Sequence, residues 1–493
     1  MPSKITVIGS GVAGLSCASF LAKGGQKVTL LEKNESIGGR ARKFAVDGFT
    51  FDMGPSWYWM PDVFERFYNQ FGYTTGDFYE LKRLDPSYRV FWKDNTYSDV
   101  PADINEFKNW FETLEKGSSK KLDLFLSEAK YKYEVGINDL VHKPSLSLLE
   151  FFDTRIISGV FKMHLFSSFS KYVRKYFKHP KIIELLEFPV LFLGAMPKDT
   201  PALYSLMNYA DIELGTWYPM GGMSKIIDSF EKIAREQGVE IMTNQEVTGF
   251  EKIEGKIVAT KTNKGLIIPN DFVVSGADYQ HTDQKLLNGS ANYAQKYWDK
   301  RVMAPSSLLF YLGVEGKINN LEHHNLFFDE DFHQHAIEIY KSPSWPSKPL
   351  FYVCCPSKTD ESVAPKGNEN VFILIPLAPG IEDSEEQREK YYNIVMNRLE
   401  QKTNSTIKEK VTFKKSYCIN DFKSDYNAFK GNAYGLANTL KQTAIFKPKL
   451  KNKNLSNMFY TGQLTTPGPG VPPSIISGEV VAKEVSKIIK QNA

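Results

Sequence analysis

The stretch that decides the fold opens the chain, where residues 4–33 read KITVIGSGVAGLSCASFLAKGGQKVTLLEK. An apolar run predicts a strand, and Gly9, Gly11 and Gly14 follow it with the spacing GxGxxG before a helical pattern. The first glycine permits a tight turn, the second lets the backbone approach a pyrophosphate, and the third lets the helix pack closely on the strand. This order predicts a dinucleotide site at the helix N-terminus. Its candidate residues are Gly9, Ser10, Gly11, Val12, Ala13 and Gly14.

The residue that ends the second predicted strand narrows the choice of nucleotide. Residues 28–31 form an apolar run that ends at Glu32. An acidic side chain at this point can accept hydrogen bonds from a ribose diol, and its charge disfavours a 2′-phosphate. NADP is therefore a poor candidate, whereas NAD and FAD both remain.

The residues after Glu32 favour FAD over NAD. Positions 34–42 read NESIGGRAR, in which Gly38 and Gly39 again allow close backbone approach and Arg40 offers a fork of donors for a phosphate. A second phosphate-facing loop suits FAD better than NAD. The cofactor residues predicted in this part of the chain are Glu32, Lys33, Gly39, Arg40 and Ala41.

Three short motifs resemble a known group of flavoproteins. GGRA at 38–41, a DG turn at 47–48 and DMGPS at 52–56 resemble the amine-oxidase-like FAD superfamily, and specifically its phytoene desaturase branch, the bacterial carotenoid/retinoid oxidoreductase family. The resemblance covers nearly the whole chain, although its motifs are concentrated in three blocks. It implies FAD as cofactor, a long carotenoid as substrate, and cofactor contacts from Gly54, Pro55 and Ser56.

The C-terminal block supports the same interpretation independently. Residues 458–478 read MFYTGQLTTPGPGVPPSIISG, which predicts a strand, a glycine-proline loop and a helix that begins with prolines. The resemblance implies that this segment returns to the N-terminal domain and covers the flavin. A positive helix pole at that point would stabilise anionic reduced flavin. The residues implied are Gly462, Gly470, Val471 and Pro472.

A middle block, residues 217–280, completes the predicted FAD domain. The motif YPMGGM at 218–223 precedes a helical pattern and a short strand, and the resemblance gives Val247 backbone contacts with adenine. We therefore predict an α/β (α+β two-domain) protein. A Rossmann-like FAD-binding domain is assembled from discontinuous segments, and a substrate domain contains a mixed or antiparallel sheet and a helical cap. The predicted bounds are 1–74, 217–284 and 446–493 for the FAD-binding domain, and 75–216 and 285–445 for the substrate domain.

The substrate domain is predicted to combine a sheet that floors a cavity with a cap of helices. Strands are expected at 310–314, 350–355 and 370–377, and the cap around 145–197. Apolar residues recur in the cap at three- and four-residue steps, for example at Phe169 and Val173, and basic residues accumulate on the same stretch. Such a segment could lie on an anionic membrane and collect a water-insoluble substrate. A cap over the core with a solvated cationic face explains the pattern equally well.

Composition and charge exclude several other classes of protein. The chain has 493 residues, of which 42% are hydrophobic and 24% charged, as in an ordinary globular protein. Its net charge of +4 gives no indication of nucleic-acid binding. The four cysteines lack CxxC spacing, and no run of about 18 apolar residues occurs. We therefore expect a cytoplasmic protein at the inner face of the cell membrane, without a disulfide framework or a spanning helix.

The expected chemistry belongs to the flavin, because the sequence shows no nucleophile, triad or metal cluster. Desaturation of a CH2–CH2 unit can proceed by hydride transfer to the flavin and proton loss from the neighbouring carbon, in a dry tunnel that the protein supplies. No catalytic residue is assigned; Asp52 is a candidate for stabilising a cation or, preferably, for holding its loop. His323, His324, His333 and His335 are predicted to be surface residues rather than metal ligands. Oxygen or a membrane quinone is the electron acceptor that the family implies.

Other functions are compatible with the same fold. A carotenoid or retinoid isomerase or saturase, or a flavin amine oxidase, would keep the cofactor and change the reaction. An amine oxidase commonly has an aromatic cage beside the flavin, and residues 463–467 read QLTTP, which weighs against it. A prenyl-lipid escort protein would be non-catalytic, and isolation of a colourless protein would favour that alternative.

Overall fold

A parallel sheet of five strands is built around the N-terminal strand. The computed structural model of the chain describes residues 1–144, 167–439 and 441–492. All four strand pairs of this sheet are parallel, so the N-terminal, middle and C-terminal blocks of the sequence share one sheet. In spatial order its strands are Met458–Tyr460, Phe272–Ser275, Lys4–Ile8, Lys27–Leu31 and Glu240–Met242.

The helix after the first strand lies at the centre of this half of the molecule. Helix Val12–Lys23 contacts two other helices, Ser224–Glu236 and the C-terminal Val471–Asn492. A methyl group built at Gly14 would lie 1.9 Å from the carbonyl oxygen of Gly9. The third glycine of the GxGxxG motif is therefore needed for packing of the helix against the loop that precedes it.

A seven-stranded mixed sheet forms the second large layer. Its pairs are antiparallel except for one parallel pair, which joins strand His324–Phe328 to Tyr88–Trp92. Successive residues of one strand pack in different hydrophobic cores, because their side chains point to opposite faces of the sheet. Phe310 packs in a core with residues of helix Glu385–Thr403, whereas Leu309 packs with the aromatic residues of the other face. The strand order is Val411–Tyr417, Ser306–Val314, Glu369–Leu377, Phe351–Cys354, His324–Phe328, Tyr88–Trp92 and Tyr97–Val100.

The described chain also contains smaller sheets. Strands Val247–Ile253, Lys256–Thr262 and Ile267–Pro269 form an antiparallel sheet. Two further pairs are Lys43–Val46 with Phe49–Asp52, and Leu81–Arg83 with Trp217–Pro219. The α/β class and the mixed sheet predicted from the sequence are confirmed.

Helices fill the remaining connections of the described chain. Besides those already named, the α-helices are Pro61–Asn69, Ile104–Leu114, Ser118–Val135, Phe169–Tyr176, Pro180–Glu187, Leu206–Asn208, Tyr279–His281, Gln295–Asp299, Phe332–Tyr340 and Ile419–Tyr426. Short π-helical segments are Gly136–Leu140, Tyr209–Leu214 and Thr282–Leu286. None of the helices in the described ranges is long and apolar enough to cross a bilayer.

Only the second half of the predicted cap, from residue 167, falls within the described residues. Its apolar stripe belongs to the core, since Phe169, Val173 and Phe177 are fully buried. Its cationic side chains are exposed: Lys171, Arg174, Lys175 and Lys178. The first half of the cap, 145–166, lies outside the described residues. The described part of the cap therefore combines a buried apolar stripe with exposed cations, which is compatible with both alternatives.

Candidate active site

A cavity of about 380 Å³ lies between the two large sheets and brings the predicted cofactor residues together. Glycine loops and polar residues line one end, and aromatic and aliphatic side chains line the other. Every predicted cofactor residue lines it except Ser10 and Gly14. The lining residues among them are Gly9, Gly11, Val12, Ala13, Glu32, Lys33, Gly39, Arg40, Ala41, Gly54, Pro55, Ser56, Val247, Gly462, Gly470, Val471 and Pro472.

Ser10 positions Glu32 instead of facing the cavity. Its backbone amide and its hydroxyl donate to Oε2 of Glu32 at 2.9 and 2.6 Å. The backbone amide and the side-chain amide of Asn34 donate to Oε1 at 2.9 and 3.1 Å. Glu32 is only 5% exposed, and these four donors fix its carboxylate at the end of the strand, where it lines the cavity.

The two glycine loops, residues 9–11 and 38–41, are in backbone contact, and together they line the concave end of the cavity that we call the nucleotide cradle. The amide of Gly38 donates to the carbonyl of Ser10 at 3.0 Å. A methyl group at Gly39 would lie 3.1 Å from the Cα atom of Gly11, whereas one at Gly11 would meet nothing within 4 Å. The open space above Gly11 is on the cavity side, as the approach of a pyrophosphate requires.

Arg40 supplies the cationic donor of this cradle. Its Nη2 donates to the carbonyl of Asn432 at 3.2 Å, and its guanidinium stacks on Tyr426 at 4.9 Å. Its Nε is buried and has no hydrogen-bond partner in the described chain, and burial lowers the pKa of Arg40. Arg40 lines the cavity beside the two glycine loops, and its positive charge suits an anionic phosphate, so the residues present fit FAD.

The C-terminal segment closes the cradle. Ser477 holds the loop before the last helix, because its hydroxyl accepts a hydrogen bond from the amide of Gly462 at 3.0 Å and lies 3.2 Å from the hydroxyl of Thr465. The helix begins at Val471, directly after Gly470 with φ of +111°. Residues 469–474 line the cavity, so the positive pole of the helix faces it.

The other end of the cavity is apolar. None of its residues was predicted individually, but Tyr352, Phe372 and Leu374 lie on two of the strands that were expected to floor a cavity. Trp57 and Trp59 directly follow the DMGPS motif, and that adjacency is a further signal in the sequence. The rest come from distant segments that the tertiary fold brings together. They include Met207, Leu309, Tyr352, Phe372, Leu374 and Tyr434.

A second apolar cavity of about 90 Å³ lies beside this end. It shares the wall residues Tyr352, Leu374 and Tyr434 with the first cavity, so the two cavities are adjacent along the seven-stranded sheet. Its other lining residues are almost all apolar: Phe188, Pro305, Leu326, Phe328, Phe332, His335, Ala336, Ile339, Tyr340, Leu350, Phe351 and Pro376. Such a space suits a long hydrocarbon.

Asp52 is a helix cap and does not line the cavity. Its carboxylate oxygens accept hydrogen bonds from the backbone amides of Met223 at 2.7 Å and Ser224 at 2.9 Å, at the start of helix Ser224–Glu236. Burial raises the pKa of Asp52 to about 6, against the effect of these hydrogen bonds. These contacts favour a role for Asp52 in holding its loop over a role in stabilising a substrate cation.

The prediction that the paired histidines are surface residues is wrong for three of the four. His323, His324 and His335 are 4%, 0% and 3% exposed, while His333 is exposed. For His323 and His324 it failed because the buried strand at 324–328 was not recognised in the sequence, and for His335 because the residue lies on the buried face of helix Phe332–Tyr340. His335 is satisfied: its Nε2 lies 2.9 Å from the carbonyl of Pro376, and its Nδ1 accepts from the amide of Leu350 at 3.1 Å.

The parallel sheet, the paired glycine loops, Arg40 and the helix pole are the features of a dinucleotide-binding protein, and an apolar cavity adjoins them. The model of the flavin-containing amine oxidoreductase family matches residues 12–486, and the chain belongs to this family. FAD is its cofactor.

Three relatives illustrate the similarity. The chain is 41% identical to a carotenoid 3,4-desaturase of Haloarcula japonica, with 97% of each chain covered. It is 28% identical to a zeta-carotene-forming phytoene desaturase of Myxococcus xanthus, over 98% of this chain and 93% of that one. Among solved structures, an oxidoreductase from Methanosarcina mazei superposes with a TM-score of 0.66 at 16% identity, over 97% of this chain and 100% of that one, which shows the shared fold.

Proposed function

We propose that this chain is an FAD-dependent carotenoid desaturase. The observation that carries the proposal is that one cavity is lined by the predicted nucleotide residues at one end and by aromatic and aliphatic side chains at the other. A hydrocarbon chain in the apolar end would lie next to a bound flavin ring. The carotenoid desaturases among the relatives support the same substrate class. Bound FAD supplies a hydride acceptor for the oxidation of a carbon–carbon single bond.

The chain's own residues orient the polyene and exclude water. Trp57, Trp59 and Phe372 present flat apolar surfaces to the cavity, and van der Waals contact along them holds an extended chain in one register. The hydroxyl of Tyr352 donates to the hydroxyl of Ser56 at 3.0 Å, which satisfies two polar groups within this wall. Because this apolar lining excludes water, it protects the positive charge that develops on the substrate carbon from attack by water.

An amine substrate is disfavoured by the charges around the cavity. The carboxylates that line it, Glu32, Glu246, Asp278 and Asp425, belong to the nucleotide end. At the apolar end, the described lining residues include no carboxylate that could pair with a buried ammonium group. Burying a charge without a partner is costly, and this cost favours a neutral hydrocarbon.

Access to the substrate and to the electron acceptor is the finer part of the proposal. Lys171, Lys175 and Lys178 are exposed on the described half of the cap and can contact anionic headgroups, which places a water-insoluble substrate within reach. We propose peripheral attachment at the inner face of the membrane and reoxidation by oxygen or a quinone. Co-sedimentation with anionic but not neutral vesicles, reduced in a variant with these three lysines changed to glutamine, would support the attachment.

The activity is tested by expression in two bacterial strains, one that makes phytoene and one that makes γ-carotene, followed by pigment extraction. A desaturase lengthens the chromophore of at least one of them. Arg40→Ala, which removes the phosphate donor, provides an inactive control. A yellow, flavin-loaded protein that lengthens neither chromophore would contradict the proposal, and a colourless protein with no flavin would favour an escort protein.

A further inference from the structure

Two histidines and a cysteine converge in the core beside the apolar end of the cavity. One ligand atom from each of His323, His324 and Cys354 lies within 4.8 Å of the other two. His324 and Cys354 are register partners on neighbouring strands, and the two histidine rings are 4.5 Å apart between centroids. All three residues are buried, with exposures of 4%, 0% and 2%.

In each histidine, one ring nitrogen lies within hydrogen-bond distance of a hydroxyl group, and the other has no hydrogen-bond partner in the described chain. Nδ1 of His323 lies 2.7 Å from the hydroxyl of Thr359, and Nδ1 of His324 lies 2.6 Å from the hydroxyl of Tyr352. Both Nε2 atoms are buried without a hydrogen-bond partner in the described chain. Metal-binding histidines have this arrangement, in which an outer partner fixes the ring through the nitrogen that does not bind the metal.

We propose that His323, His324 and Cys354 bind a single d10 metal ion through two imidazole nitrogens and a thiolate. Nitrogen and sulphur donors of this kind select soft or borderline ions such as Cu(I) and Zn(II). With bond lengths of about 2.0–2.1 Å to nitrogen and about 2.3 Å to sulphur, two ligand atoms of one ion lie at most about 4.4 Å apart. The three candidate ligand atoms lie within 4.8 Å of one another.

Charge distinguishes the two ions. The site is enclosed, and a low-dielectric interior disfavours net charge. One thiolate and two neutral imidazoles neutralise Cu(I), whereas they leave Zn(II) with one positive charge and an open fourth position. We therefore expect Cu(I) to bind more tightly than Zn(II).

The metal would join two strands that carry the cavity wall. Strand His324–Phe328 contributes Leu326 and strand Phe351–Cys354 contributes Tyr352 to that wall. Trp57, another wall residue, stacks on His324 with a centroid distance of 4.1 Å and an interplanar angle of 12°. The role of the ion is structural, and the site does not depend on the proposed desaturation.

Cys355 provides a matched control. It is the next residue in the chain, a buried cysteine whose sulphur lies 3.3 Å from Oε2 of Glu369 and is not part of the cluster. Full-length, flavin-loaded protein would be reduced, exposed to Cu(I) or Zn(II), desalted and assayed for metal per chain. We expect one ion per chain in the wild type and in Cys355→Ser, and a loss of at least tenfold in affinity in Cys354→Ser and His323→Gln.

X-ray absorption should show one sulphur and two nitrogen neighbours around the retained ion. Retention of neither ion by correctly folded wild type would overturn the proposal, as would equal retention by Cys354→Ser and Cys355→Ser. The His323→Gln variant keeps the test valid if the serine variant does not fold. Flavin content is measured separately by visible absorbance, so failure of the metal site and failure of the proposed function are distinguishable.

Discussion

Gly478 of the C-terminal helix lies against the backbone of Ala13 in the first helix. A methyl group built on Gly478 would stand 2.6 Å from the Ala13 carbonyl oxygen and 2.8 Å from the amide nitrogen of Cys17. At the same crossing, the hydroxyl of Ser16 donates to the carbonyl of Ile475 at 2.8 Å. The first helix and the C-terminal helix are therefore in backbone contact directly behind the GxGxxG loop.

Replacing Gly478 with alanine should separate these helices. Alanine is the better helix former by about 1 kcal/mol, but overpacking at the crossing should cost ~1–3 kcal/mol and displace the loop that closes the cradle. We expect a lower free energy of unfolding in urea and weaker FAD binding. Gly249→Ala is the control, since a methyl group there meets nothing within 4 Å and should leave both quantities unchanged. Equal stability of the two variants would show that the contact is not tight.

Glu32 should determine nucleotide affinity. Its carboxylate lines the cavity and is predicted to accept hydrogen bonds from a ribose diol, and hydrogen bonds to a charged group contribute ~1.5–3 kcal/mol. Glu32→Ala should therefore weaken FAD binding to the apoprotein by about 10- to 100-fold. Titration followed by flavin fluorescence measures this change. The exposed neighbour Glu35, changed to alanine, should bind FAD as the wild type does. A matching loss in both variants would point to general electrostatics instead of a specific contact.

The nucleotide end of the site was predictable because its determinants are local. A strand, three spaced glycines and a terminal acid require particular backbone shapes within about thirty consecutive residues, and each shape restricts the residue type. The GGRA loop follows in the same stretch. By contrast, Ser10 was predicted to contact the cofactor, and its hydroxyl is directed at Glu32; spacing alone does not show which way a side chain turns.

Lys447 should make stability depend on pH. It is 3% exposed, its Nζ has no hydrogen-bond partner in the described chain, and burial lowers its pKa to about 7. In the unfolded chain a lysine has a pKa of about 10.4. Between these values the unfolded state binds more protons, so this residue makes the folded state more stable as the pH rises from about 7 to about 10.4. The destabilisation that comes from burying the Lys447 ammonium group is fully present below pH 7.

Lys447→Met should remove that penalty. We expect a higher free energy of unfolding at pH 7, by ~1–3 kcal/mol, and a smaller difference from wild type at pH 9.5. Urea unfolding at both pH values measures it. Lys441→Met, at an exposed position, should change neither value. If Lys447→Met is destabilising at pH 7, then the ammonium group has a partner in the folded protein and the sign of the prediction is wrong.

At the apolar end of the site, the sequence predicted strands that floor a cavity but not the individual residues of its wall, because those residues share no local pattern. Tyr352 and Trp57 lie almost three hundred positions apart and become neighbours through packing of the seven-stranded sheet, with ring centroids 5.5 Å apart. Tyr426, which stacks on Arg40, comes from a segment assigned to the substrate domain. A large aromatic residue in a strand is compatible with any buried wall, so only the tertiary structure distinguishes a ligand wall from ordinary core.

Ala336 should control entry of the polyene into the second cavity. It lies on helix Phe332–Tyr340, is 5% exposed and lines that cavity. Ala336→Phe would fill much of the space, so we expect loss of lengthened pigment while FAD stays bound, at an overpacking cost of ~1–3 kcal/mol. Pigment extraction and flavin absorbance measure the two effects. Ile337→Phe, one position along the same helix and outside the cavity lining, should keep activity. Unchanged pigment in Ala336→Phe would place the polyene elsewhere.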